Sequence, residues 1–183
     1  MAFELDTPTN AKITDVLVLA EKDRAPDTDP GVGLDVQITT SNHVLTHFDG
    51  ALRGALYCKN ANSSAEQRQG SLEGVDPVSD LPNLTSIGQK LGQFGWDLEL
   101  TGYTLTVDRG LGGKNSNIEL SDCKLSGFKV QPKEGGSVVL KFRVESPNIS
   151  EKLHGQLAVL KTTERPITLT APEVQQQDLE QDR

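Results

Sequence analysis

The chain has 183 residues, of which 35% are hydrophobic and 4% aromatic, so the expected core is one built from Val, Leu, Ile and Ala. Its formal net charge of −8 opposes non-specific attraction to nucleic acid or anionic membranes, leaving such binding to a local basic face. No apolar stretch approaches the roughly 20 residues of a membrane span, and the opening MAFELDTPTN lacks the basic and apolar regions of a secretory signal. A cytoplasmic setting is therefore expected, with Cys58 and Cys123 as reduced thiols.

Residues 1–10 read as a loose start and the β-branched run 13–20 as the first strand. Residues 21–33, with Pro26, Pro30, Gly31 and Gly33, read as a polar loop. Leu34, Val36 and Ile38 alternate with Asp35, Gln37 and Thr39, the period of a half-buried strand. Ser41 or Asn42 then caps a helix carrying Val44, Phe48, Leu52 and Leu56 on one face. Residues 60–80, rich in Ser, Asn, Gln, Gly and Glu, read as a mobile loop. Pro82 opens a second helix with the stripe Leu84, Ile87, Leu91 and Phe94, in which Gly88, Gly92 and Gly95 leave a flat side for close packing.

Residues 98–107 alternate as a strand, with Gly102 at a bulge. Residues 110–115 predict a hairpin loop, 117–130 a strand bent at Gly127, and 131–136 a turn. Val138, Leu140, Phe142 and Val144 mark the inner face of the following strand. Asn148, with Glu151 three residues on, predicts a capping box for a third helix that buries Leu153, Leu157 and Leu160. Residues 166–170 read as a last strand, and the Gln-rich acidic end 173–183 as a disordered tail.

The fold class is therefore α+β, a mainly antiparallel sheet with about three helices. Its elements repeat in order: hairpin, helix, strand. Strand 34–40, Ser41-Asn42 and Phe48-Asp49-Gly50-Ala51-Leu52 match strand 138–144, Ser146-Pro147-Asn148 and Leu153-His154-Gly155-Gln156-Leu157. The reading is an internal duplication, with halves about 11–107 and 117–171 in a single pseudo-symmetric domain 1–172 and a groove between them.

Catalytic patterns are sparse. His43 and His47 stand four apart, which on an α-helix puts both imidazoles on one face, yet Val44 replaces the Glu of a zinc-protease signature. Gly110-Leu111-Gly112-Gly113-Lys114 departs from a phosphate loop at Asp108 and Asn115. There is no G-x-S-x-G elbow. No metal, cofactor or catalytic residue is assigned, and a small hydrolase is the last of the readings.

Charged residues carry the remaining signals. Lys124, Lys129, Lys141 and Arg143 fall on one hairpin, with Arg109 and Lys114 near its neighbour and Phe128 among them. Cations that follow phosphates and rings that stack on bases suit single-stranded nucleic acid. The plainer reading is that basic residues guard an edge hairpin against aggregation. Asp23, Asp27 and Asp29 of the first loop, and Glu66, Glu73 and Asp76 of the long loop, could instead face a basic protein partner.

Residues 153–172, LHGQLAVLKTTERPITLTAP, resemble the C-terminal part of small bacteriophage or prophage proteins of unknown function. The resemblance covers about one tenth of the chain and implies only a host-cytoplasm setting. The expectation is a non-enzymatic binding protein, monomer or homodimer, whose partner is a protein or single-stranded nucleic acid. The alternatives are a single-stranded DNA-binding or recombination accessory protein using the basic hairpin, and an acidic inhibitor of a host enzyme.

Overall fold

The computed structural model describes residues 3–19, 28–59, 79–112 and 116–172. The elements are β1 (Leu5–Leu19), β2 (Gly31–Ser41), a 3-10 turn (Asn42–His47), α1 (Leu52–Leu56), β3 (Tyr57–Cys58), β4 (Asn83–Leu84), α2 (Ser86–Leu91), β5 (Phe94–Trp96), β6 (Leu100–Val107), β7 (Ile118–Pro132), β8 (Ser137–Ser146), α3 (Glu151–Ala158) and β9 (Glu164–Thr170). Every strand pairing is antiparallel, in keeping with the expected α+β class.

The main sheet runs β5-β7-β6-β9-β1-β2-β8, and a further pairing of β7 with β8 closes it. Strands β1, β2, β8, β7, β6 and β9 thus form a ring in which each is paired on both sides. Closure removes the open edges that an antiparallel sheet would otherwise present. Alternation supplies the filling. Val138, Leu140, Phe142 and Val144 of β8, Leu34, Val36 and Ile38 of β2, Leu105 and Val107 of β6, and Ile167 and Leu169 of β9 are all buried. Four of the five phenylalanines gather in one cluster with Trp96. Phe128 stacks on Phe142 with centroids 5.6 Å apart, and Phe3 meets both edge-on at 5.8 Å. Phe48, on the segment after the 3-10 turn, packs against Phe128 at 5.3 Å and so docks that turn on the barrel. Such ring pairs are worth about 0.5–1.5 kcal/mol beyond the area they bury.

Several local expectations are corrected. β1 starts at Leu5, because Leu5, Thr9, Asn10, Ala11 and Lys12 pair with β9, a partner invisible to local pattern. The helix expected over 42–56 breaks in two, as Asp49 Oδ1 accepts the Ala51 amide at 2.7 Å in a turn. Thr85, not Pro82, opens α2, its hydroxyl accepting the Gly88 amide at 3.1 Å. Ile87 and Leu91 of the expected buried stripe are exposed, while Gly88 is buried against the Leu56 carbonyl, 2.4 Å from where a Cβ would stand. The capping box at Asn148 does not form: Ser150 is the N-cap, and Asn148 adopts φ 53°. The long-loop residues 60–78 and the tail 173–183 lie outside the described residues.

Candidate functional site

Two polar clusters stand out. The first ties the 3-10 turn to α1 and to residues 79–81. Arg53 Nε donates to Asn42 Oδ1 at 2.9 Å, and Arg53 Nη2 donates to Ser79 Oγ at 2.9 Å and to Asp80 Oδ1. Asn42 Nδ2 donates to the Leu81 carbonyl at 2.8 Å. His43 Nε2 lies 3.2 Å from Asp80 Oδ1. A serine, a histidine and an aspartate are therefore neighbours, but not in a catalytic order. The Ser79 hydroxyl donates to Asn42 Oδ1 at 2.6 Å and accepts from Arg53 and the Leu81 amide, and so is committed elsewhere. The cluster is a latch. The Arg53 hydrogen bond holds the Asp80 carboxyl below its ordinary range.

His43 and His47 do not converge. In a 3-10 turn a residue four places on sits about 120° around the axis, against about 40° in an α-helix. His43 reaches Asp80, whereas His47 lies edge-on to Phe3 at 6.1 Å. Among the described residues no group of three or more His, Cys, Asp or Glu is placed to hold a metal ion. Cys123 is buried, its thiol raised by that burial, and its Sγ donates to the Leu120 carbonyl at 3.2 Å.

The second cluster is the outer wall of β2, β8 and β7. A groove of about 400 Å³ crosses it, lined by Thr14 of β1, Asp35 of β2, Lys141, Arg143 and Glu145 of β8, and Ser126, Gly127 and Lys129 of β7. Lys129 stands directly opposite Lys141 across the β7–β8 pair. Neither ammonium has an ion-pair partner among the described residues. Arg143 is clamped, its Nε and Nη2 donating to Asp35 Oδ1 and Oδ2 at 2.7 and 3.0 Å. Lys124 is paired with Glu99 at 3.0 Å. Like charges facing each other across strands cost stability, and here the protection of an open edge does not account for them. β8 is paired to β2, and β7 to β6 and β5 on its far side.

The hairpin that carries this wall is pinned from below by Tyr57. The Lys133 amide donates to the Tyr57 hydroxyl at 3.0 Å, and that hydroxyl donates to the Ser137 carbonyl at 2.6 Å. Burial pushes its phenol up to about 12, with the Lys133 backbone pulling the other way.

Of the residues singled out for nucleic acid, Lys129, Lys141 and Arg143 come together on this wall. Phe128 does not serve there: it is 1% exposed, inside the aromatic cluster. The cause is the bulge at Gly127, φ 64°, which shifts the register between Ser126 and Lys129 and exchanges inward and outward positions beyond it. Arg109 lies apart, in the loop after β6, where its carbonyl accepts from Arg165 Nη1 at 3.2 Å. Lys114 lies outside the described residues, as do Asp23, Asp27, Glu66, Glu73 and Asp76, while Asp29 is exposed. Asp35, the partner of Arg143, was legible only as one acid among many, because its cross-strand neighbour follows from register.

No protein-family model, curated protein or solved structure matches the chain. Among the described residues no helix is long and apolar enough to cross a membrane.

Proposed function

We propose that this chain is a cytoplasmic, non-enzymatic binding protein that engages an anionic partner through the outer wall of β2, β8 and β7. The observation that carries this reading is the facing pair Lys129 and Lys141, uncompensated among the described residues and set beside a groove. A repulsion kept between strands that are each paired on both sides is explained by an anion that relieves it. Arg143, already held by Asp35, frames the groove and fixes its shape.

The same proposal includes an internal duplication. Exchanging β1 with β7, β2 with β8 and β6 with β9 keeps every neighbouring pair of the ring a neighbouring pair, with β2–β8 and β6–β9 mapping onto themselves. Such an exchange supports two hairpin–helix–strand halves sharing one core. The wall then lies where a hairpin strand of one half, β2, meets a hairpin strand of the other, β8.

Fluorescence anisotropy at low salt tests the wall, with a labelled fifteen-residue oligothymidine (about one module's footprint) and a labelled polyglutamate as probes. The expected result is that the protein binds at least one probe, and that Lys129→Glu with Lys141→Glu abolishes binding while circular dichroism stays unchanged. If neither probe binds, the reading is wrong.

A further inference from the structure

Resting on that reading, we infer that the partner is single-stranded nucleic acid and that its phosphate backbone runs across the strands, from Lys129 over Lys141 to Lys12. The registers place these residues in one row. Lys129 faces Lys141, Lys141 faces Gln37, and Gln37 faces Lys12. Each is flanked by buried neighbours, Phe128 and Val130, Leu140 and Phe142, Val36 and Ile38, Ala11 and Ile13, so all four side chains point outward. Lys12, distant in sequence from the basic hairpin, is thereby the third cation of the same row.

The rows on either side define the path. On one side lie Ser126, Arg143, Asp35 and Asp15, and beyond them Lys124 and Glu145; there Asp35 is paired with Arg143, Asp15 with Lys161 and Lys124 with Glu99, so the charges of that flank are largely matched. On the other side lie Gln131, Val139 and Thr39, which carry no charge. An anionic chain is held to the lysine row by attraction along it, because the cations of the flank already have partners and the lysines of the row have none among the described residues. The groove shares Lys129 and Lys141 with the row and takes Thr14, Asp35, Ser126, Arg143 and Glu145 from the flank beside it, while Lys12 and Gln37 continue the row beyond its lining.

The row offers ammoniums alone, because the arginine fork on this wall, which would clamp a carboxylate or a phosphate bidentately, is occupied by Asp35. Lysine ammoniums act as point charges that take a phosphate in any orientation. Shape selects single strand over duplex. From Lys12 to Lys129 is three strand spacings, about 14 Å of wall, and those four strands belong to the closed ring. A ligand that touches all three lysines must bend with the barrel. A duplex, with its persistence length of about 50 nm, does not do so cheaply. Because Phe128 and Tyr103 are buried, the binding rests on phosphates rather than stacking, and so it is indifferent to base sequence.

The test is the salt dependence of oligothymidine binding for the intact protein and for Lys12→Gln, Lys129→Gln and Lys141→Gln, with Lys152→Gln on α3 as the control. Each row substitution should flatten the slope of log affinity against log salt by about 0.7, the value for one lost contact to a single strand. Lys152→Gln should leave it unchanged, and a duplex of equal length should bind more weakly. A slope altered by Lys129→Gln and Lys141→Gln but not by Lys12→Gln overturns the cross-strand path and leaves the anionic wall standing. Binding of polyglutamate in place of oligothymidine, or of duplex as tightly as single strand, overturns the choice of partner. Silence from every probe removes the underlying reading as well.

Discussion

Replacing Lys129 by Glu should make the protein more stable. Lys129 is exposed and stands directly across from half-buried Lys141 on strands paired on both flanks, so the two cannot separate by fraying. A charged cross-strand pair is worth roughly 0.2–1 kcal/mol, unfavourable for like charges and favourable for opposite ones. Reversing the sign at one position removes the first contribution and adds the second, a gain of about 1 kcal/mol. Urea unfolding at low salt and at about 1 M salt measures it. The gain should be present at low ionic strength and largely gone at about 1 M, where the screening length falls to about 3 Å. Lys129→Gln should give about half. The same Lys129→Glu change should weaken anion binding, so that stability and binding move in opposite directions, as expected where a strained feature is kept for function. A variant that is less stable, or a difference indifferent to salt, would show that the two stems hold their charges apart and that the wall stores no repulsion.

Tyr57→Phe should cost about 0.5–1.5 kcal/mol in thermal or urea unfolding, since it removes the hydroxyl's bond to the Ser137 carbonyl while the Lys133 amide keeps its own bond to that carbonyl at 2.9 Å. Because burial raises the Tyr57 phenol to about 12, its neutral form stabilises the fold below the ordinary tyrosine range. That contribution, about 2–3 kcal/mol, should disappear as pH rises from about 10 to 12. Phenolate absorbance should then appear together with unfolding. Thr162 is a β-branched residue at φ 66°, so Thr162→Gly should raise the stability by about 1 kcal/mol, read as a higher melting temperature. Arg53→Met should lower it by about 2–3 kcal/mol, because Asn42 and Ser79 lose a charged donor. It should also blunt acid sensitivity. The depressed Asp80 carboxyl stabilises the fold above the ordinary carboxylate range, and that contribution is lost as pH falls through its folded value. Stability measured across the acid range for both proteins checks this.

What could be read from sequence was whatever depends on near neighbours. Alternation at Leu34–Val36–Ile38 and at Val138–Leu140–Phe142–Val144 identified strands whose inner faces are buried as expected, because a strand's period of two is a property of its own backbone. The hairpin joining β7 to β8 was legible for the same reason, and with it the nearness of Lys129, Lys141 and Arg143. Ring closure, the place of Leu5 in a strand, the inward turn of Phe128 and the alignment of Lys12 with Lys141 belong to the tertiary structure alone. They depend on which distant strands pair and in what register. One bulge residue such as Gly127 exchanges the two faces of everything beyond it. Register is settled by the collective burial of the ring's interior, a sum over strands from both ends of the chain, and no local window contains it.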